Sequence, residues 1–226
     1  MAALYIVASP IGNLKDITIR ALEVLRHVDI VACEDTRRTL KLLNTNDIKK
    51  PLISCHSYSE KNASSRICGY LEKGESVAYV SEAGTPGVSD PGSLLSTKVR
   101  EQGFAVIPVP GPSAVTTLMS VGAPVGKAVT FAGFLSPKQG RRRRRLAELL
   151  GREEAFVLYE SPHRIAALLK DLIDLDPDRK LLLGREMTKL HEEYLEGRAS
   201  ELALKMNEPN RLRGEITLLV GARKNI

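Results

Sequence analysis

The 226-residue sequence contains no tryptophan, and aromatic residues make up only 4% of it. A protein so short of aromatic rings is expected to recognise a partner by shape and charge more than by stacking. No apolar run approaches the roughly 18–20 residues that a membrane-spanning helix needs. The stretch from Met1 to Ala8 is uncharged and leads at once into Pro10 and Gly12, unlike a secretory signal. Cysteine is scarce: Cys33, Cys55 and Cys68 lack CxxC spacing, so neither a disulfide framework nor a zinc site is expected. The histidines His27, His56, His163 and His191 are scattered and HExxH is missing, so no metal is expected. GxxxxGKS/T, GxSxG and a GxGxxG after the first strand are missing too, which counts against P-loop, hydrolase and dinucleotide chemistry. These absences suit a cytoplasmic protein with reduced thiols and no membrane partner.

What is present is a hydrophobic fraction of 43%, enough for a core in one or two domains. The formal charge is +6, from 33 basic and 27 acidic residues. The stretch Lys138 to Arg145, KQGRRRRR, holds six basic residues and no acidic one, and without it the two signs balance at 27 each. An excess concentrated in one place points to a polyanionic partner bound there.

Along the first half, short apolar runs alternate with amphipathic stretches. Strands are expected at Leu4–Ala8, Asp29–Cys33, Leu52–Ser54, Val77–Ser81 and Phe104–Val109, and helices at Thr18–Val28, Thr36–Leu43, Ala63–Leu71 and Ser93–Arg100. This alternation predicts a mostly parallel sheet with helices on both faces. Gly122, Pro124 and Gly126 break the pattern and mark the expected boundary between residues 1–122 and 123–226. The second half predicts strands at Val129–Phe134, Ala155–Tyr159 and Glu215–Val220, and helices at Arg142–Leu150, Ile165–Leu172 and Glu201–Met206. Leu181–Met187 and Glu192–Arg198 lie close enough to pair antiparallel, which makes this a mixed-sheet α/β domain.

Three Gly/Pro segments directly follow predicted strands: Ser9–Leu14, Ser81–Gly92 and Pro110–Ala114. In an open α/β sheet, ligands bind beyond the carboxyl ends of strands, where such loops converge. Glycine lets backbone approach a ligand and proline stiffens the loop, so three of them can form a preformed pocket for a flat polar ligand. The competing reading is that each is a turn with helix caps, Ser113 capping the helix after it.

The segments PIGNLKDITIRALEVLRHVDIVACEDTRRTLKLL, SEAGTPGVSDPG, PVPGPSA and FLSPKQGRRRRRL, followed in order by YESPHRI, GREMTKLHEEYLEG and RGEITLLV, span essentially the whole chain. Together they closely resemble the ribosomal RNA methyltransferases of the tetrapyrrole methylase superfamily. The resemblance implies a two-domain α/β fold with S-adenosylmethionine held in a cleft between the domains. It further implies 2′-O-methylation of a cytidine in the decoding region of small-subunit (16S) ribosomal RNA, free or in the 30S subunit, by a homodimer. Cofactor contacts implied are Pro10, Ser81, Glu82, Ala83, Gly84, Thr85, Pro86, Ser113 and Ala114, with Tyr159, Glu160 and Met187 from the second domain. Met187 suits packing on adenine, or is a core methionine. Glu82 stands where members more usually carry aspartate. Many members also continue past the last strand into a small helical extension, whereas this sequence stops at Ile226.

The implied chemistry is in-line attack of a ribose hydroxyl on the sulfonium methyl, for which alignment is worth up to roughly 7–11 kcal/mol. Candidates for a base that takes the hydroxyl proton are Glu34, Asp35 and Asp90, a role typically worth about 10²–10⁴ in rate. The alternative for Asp35 is a helix cap, and for Glu34 an ion pair with Arg37 or Arg38. Candidate RNA contacts are Arg37, Arg38, Lys138, Arg141, Arg142, Arg143, Arg144 and Arg145. Their planar guanidinium forks suit phosphate oxygens, and a solvated helix face is the competing reading of the run. Rival functions on the same scaffold are carbon methylation of a tetrapyrrole and non-catalytic RNA binding.

Overall fold

In the computed structural model, which describes residues 2–55, 60–122, 126, 128–208 and 211–223, alternate residues of each early strand face opposite layers. The elements of the first half are β1 (Ala3–Val7), a 3-10 turn (Leu14–Asp16), α1 (Ile19–His27), β2 (Ile30–Cys33), α2 (Thr36–Thr45), β3 (Leu52–Ser54), α3 (Glu60–Glu72), β4 (Val77–Val80), α4 (Ser93–Glu101) and β5 (Ala105–Val109). Leu4, Ile30, Ala32, Val77 and Tyr79 pack with Ile67 and Leu71 of α3 and Leu95 and Val99 of α4. Val7, Val31, Ala78 and Val80 pack on the other side with Ala21 and Leu25 of α1 and Leu43 of α2. The period of two that makes a strand thus sorts its side chains between two helical layers.

The sheet is wholly parallel in the order β3-β2-β4-β1-β5. Connections β1 to β2 and β2 to β3 run one way across it, and β3 to β4 and β4 to β5 run back. Parallel crossovers are right-handed, so reversing direction moves the helix to the opposite face. That is why α1 and α2 share one face, and α3 and α4 the other.

The chain divides into two units, Met1–Ser113 and Ala114–Ile226. This division falls one helix before the glycine-marked position at 122, whose Pro124 lies outside the described residues, as does His56. The reason is that the next helix, α5 (Ala114–Val121), packs its buried Leu118 with the second sheet.

That sheet is mixed, in the order β6-β7-β10-β8-β9. Its elements are β6 (Val129–Phe134), α6 (Gln139–Leu150), β7 (Ala155–Glu160), α7 (Pro162–Leu175), β8 (Lys180–Arg185), β9 (Glu193–Arg198), α8 (Ala199–Met206) and β10 (Ile216–Val220). β6 and β7 are parallel, and the other neighbours are antiparallel, including the expected β8–β9 pair. One face buries Phe156, Leu158, Leu183 and Leu218 against Leu146, Leu168 and Leu202 of α6, α7 and α8.

The arginine run opens α6 and is not uniformly solvated. Arg142 is buried, and its Nε donates to Asp171 of α7 at 2.7 Å, while Arg143 reaches the same carboxylate at 3.1 Å and Asp174 at 2.6 Å. Asp171 is only 1% exposed, so this pair clamps α6 to α7 inside a low-dielectric layer. Removing one partner strands the other, typically at about 3–5 kcal/mol, whereas replacing both by apolar groups costs far less. Asp171→Ala is therefore expected to lower unfolding stability by about 3–5 kcal/mol in urea titrations, and the double variant Arg142→Met/Asp171→Leu to recover most of it. Equal stability of wild type and Asp171→Ala would remove the clamp.

Candidate active site

β4 sends its chain to α4 on one face, while its neighbours β1 and β2 send theirs to α1 and α2 on the other. Crevices therefore open at the carboxyl edge on both sides of β4, the position where open α/β sheets bind ligands. The loop after β4 is Ser81–Gly92, flanked by Ser9–Asn13 after β1 and Glu34–Asp35 after β2.

Backbone bonds tie these loops together. Ser9 N–H donates to the Gly84 carbonyl at 2.8 Å, and Gly84 N–H returns to the Ser9 carbonyl at 3.1 Å. The buried Ser9 hydroxyl donates to the Ser81 carbonyl at 3.2 Å, and the buried Ser81 hydroxyl to the Gly84 carbonyl at 3.3 Å. The Thr85 hydroxyl donates to the Pro112 carbonyl at 3.1 Å, joining the segment after β5. Within the long loop, Gly87 N–H donates to the Pro91 carbonyl at 3.1 Å. The loop closes on α4 at Gly92, where φ is +123° and an added Cβ would lie 2.9 Å from the Tyr79 ring, so only glycine fits. Rigid, doubly tied loops are preorganised: a ligand meets a shape already formed.

The implied residues Pro10, Ser81, Glu82, Ala83, Gly84, Thr85, Pro86 and Ser113 are thus gathered by three adjacent strands. Ala8, Ser9, Ser81, Ala83 and Gly84 carry at most two side-chain heavy atoms, which leaves loop backbone open to close approach. That character fits a ligand held by backbone groups, such as the amino-acid and ribose parts of S-adenosylmethionine. Sequence reasoning missed Ser9 as a tie and missed the partner of Glu82. Arg38 of α2 bonds the Glu82 carboxylate at 3.2 Å, spanning the loops after β2 and β4. Proximity of CEDTRR to SEAG in space leaves no trace in either segment alone.

Asp35 caps α2: its carboxylate accepts from Arg37 N–H at 2.8 Å and from the Arg37 side chain at 3.3 and 3.4 Å. The Arg37 backbone and side-chain donors hold the Asp35 carboxyl below its ordinary range. Glu34 and Asp90 are half-buried beside the same edge. All three cysteines are buried, and burial pushes the Cys33 and Cys68 thiols up, away from nucleophilic thiolate. No group of three or more His, Cys, Asp or Glu side chains suited to a metal occurs among the described residues. A cavity of about 560 Å³ lined by Tyr5, Glu23, His27 and Ser76 lies at the opposite, amino edge of the sheet.

Tyr159, Glu160 and Met187 have packing roles within the second unit. Tyr159 packs on Phe131 and Phe134. Glu160 is buried at the end of β7, accepting from Ser161 N–H at 2.8 Å and from Arg164 of α7 at 3.1 Å. Met187 is 6% exposed against Gly184, where an added Cβ would meet its sulfur at 2.6 Å. Ala114 opens α5.

Residues 3–203 match the family model for tetrapyrrole (corrin/porphyrin) methylases, and the chain belongs to that family. The relatives it resembles in sequence carry a narrower name. It is 47% identical over 218 residues to ribosomal RNA small subunit methyltransferase I of Borrelia garinii, covering 96% of this chain and 97% of that one. Identity to the protein of that name from Thermotoga maritima is 44% over 225 residues, covering 99% and 100%. For the Bacillus subtilis protein of that name it is 37%, covering 100% and 77%. Among solved structures, the cobalamin biosynthetic enzyme cobalt precorrin-4 methyltransferase matches with TM-score 0.75 at 17% identity, covering 97% and 94%. Uroporphyrin-III C-methyltransferase from Thermus thermophilus, complexed with S-adenosyl homocysteine, matches with TM-score 0.68 at 17% identity, covering 96% and 97%. At such identities the structural likeness concerns the fold.

The depressed Asp35 carboxyl has a defined pH consequence. A carboxyl whose folded pKa lies below its unfolded value of about 3.9 adds stability above that value and loses it as pH falls through the folded pKa. Asp35→Asn keeps an acceptor for Arg37 N–H and does not titrate. The stability difference between wild type and Asp35→Asn is therefore expected to be constant near neutrality and to shift against the wild type below about pH 4, read by urea unfolding. A difference independent of pH would show that the cap is not ionic.

Proposed function

We propose that the chain transfers a methyl group from S-adenosylmethionine to the ribose 2′-oxygen of a cytidine in the decoding region of small-subunit ribosomal RNA. The observation that carries this reading is near-full-length identity of 44–47% to proteins named ribosomal RNA small subunit methyltransferase I. The tied loops around β4 support it, since they supply the preformed edge such a reaction needs. Carbon methylation of a tetrapyrrole is not favoured: relatives bearing tetrapyrrole names share the fold at 17–22% identity. The resemblance also supports a cytoplasmic homodimer, and no described helix is long and apolar enough to cross a membrane.

In this reading Pro10, Ser81–Pro86 and Ser113 hold the cofactor, which supplies an electrophilic methyl on a sulfonium. The loops' task is alignment, worth up to roughly 7–11 kcal/mol when the reacting atoms are held in line. Arg38 fixes the Glu82 carboxylate and so the outer part of the β4 loop. Asp35 is committed to the α2 cap, which leaves Glu34 and Asp90 as candidates to accept the hydroxyl proton. Lys138, Arg141 and Arg144 are exposed and grip phosphates, with Arg145 beside Glu148 at 3.1 Å. Arg142 and Arg143 keep α6 on α7.

Purified protein incubated with methyl-labelled S-adenosylmethionine and small subunits lacking the modification is expected to place label on a cytidine 2′-oxygen. Label on a tetrapyrrole instead, or none despite cofactor binding, would sink the reading. Arg141→Ala/Arg144→Ala is expected to weaken RNA binding and flatten its log–log salt slope by about 1.4, at about 0.7 per single-strand phosphate, with cofactor affinity unchanged. An unchanged slope would exclude the two side chains from the RNA contact.

A further inference from the structure

Aromatic residues are few here, yet three of them meet at one end of the second sheet. Tyr159 of β7 lies 5.0 Å from the Phe131 ring, centroid to centroid, at 67°, and 5.6 Å from the Phe134 ring at 60°. Neither contact is a parallel stack, so no ring covers another face to face. Phe131 and Phe134 are an odd number of residues apart and in a regular strand would point to opposite faces. β6 instead carries a bulge between Phe131 and Gly133, with Gly133 at φ +62°, and both rings come to Tyr159. Phe134 is 56% exposed, although its neighbour Leu135 is buried in the core.

β6 ends at Phe134, and four residues on, Lys138 directly precedes α6. An extended chain of that length spans at most about 14 Å, so ring and first cation are close. Lys138 and Arg141 are exposed, and no side chain caps the amino end of α6.

We propose that Phe134, backed by Tyr159 and Phe131, is a stacking platform for an unpaired base of the RNA substrate, whose adjoining phosphates lie on Lys138 and Arg141. The proposal rests on the RNA reading above and adds the base contact to it. Single-strand sites combine an aromatic face with cations that follow the backbone, and both occur here within one loop. Charge decides the occupant: S-adenosylmethionine has no phosphate and carries a cationic sulfonium, so it does not match a cluster of cations.

The test uses a single-stranded, cytidine-containing RNA of roughly ten nucleotides, within the size of known single-strand sites. Phe134→Ala and Phe134→Leu are each expected to weaken binding about 5- to 100-fold with the wild-type salt slope. Phe134→Trp is expected to hold affinity. It also introduces the chain's only tryptophan, whose emission should be quenched when this RNA binds. Wild-type affinity in Phe134→Leu, or unquenched tryptophan while RNA binds, overturns the platform and leaves the RNA reading standing. Failure of the wild type to bind this RNA overturns the platform, while methyl transfer to small subunits tests the RNA reading separately. Loss of S-adenosylmethionine affinity with RNA binding intact would assign the platform to adenine. A changed sedimentation mass in Phe134→Ala, again with RNA binding intact, would make the patch a self-interface. Either result overturns the proposal.

Discussion

Right-handed crossover between parallel strands is the constraint on which the first unit's chemistry depends. It obliges the chain leaving β4 to turn to one face while β1 and β2 feed the other. Two crevices result, and the residues lining them need only be small enough to let backbone be used. Ser9 and Gly84 exploit this by pairing across the β1–β4 edge as though the strands continued for one more residue in the opposite sense. Their hydroxyl partners add ties that water cannot easily displace, because Ser9 and Ser81 are buried.

Charge is used in two distinct ways. Around the loops, carboxylates are engaged by arginines of α2: Asp35 with Arg37, and Glu82 with Arg38. These pairs are largely solvated, so their value lies in geometry more than stability. In the second unit, the helical period divides a run of like charges between two environments. Arg142 turns inward to Asp171, while Arg141 and Arg144 turn outward. A stretch that looks like one electrostatic patch is partly a structural clamp. The outward members, with the bulged aromatic end of β6 just before them, make a surface suited to phosphate and base together.

Much of this architecture was legible. The apolar runs at Leu4–Ala8 and Val77–Ser81 are strands to within a residue, since buried parallel strands read as continuous β-branched and aliphatic stretches, and Val129–Phe134 is a strand as well, at the edge of the second sheet. Asp35 was readable as a cap from its place before Thr36. The Leu14–Asp16 turn escaped notice because one short turn has no periodicity. Assignment of α5 to the second sheet was hidden because the strongest breakers, at Gly122 and Pro124, follow that helix. The aromatic cluster was also invisible, because a bulge that turns Phe131 and Phe134 to one face is not encoded by alternation.

The sequence by itself determined the class of the main strands and helices, the presence of three Gly/Pro loops after strands, the local basic excess and the family resemblance. These are properties of adjacent residues or of ordered motifs. Tertiary structure alone decided that Gly84 pairs with Ser9, that Arg38 holds Glu82, that Arg142 is buried on Asp171, and that three scattered aromatics share one face. Each of these joins residues from distant segments, brought together by strand order, helical phase or a bulge. None of these four is written in the spacing of one segment alone.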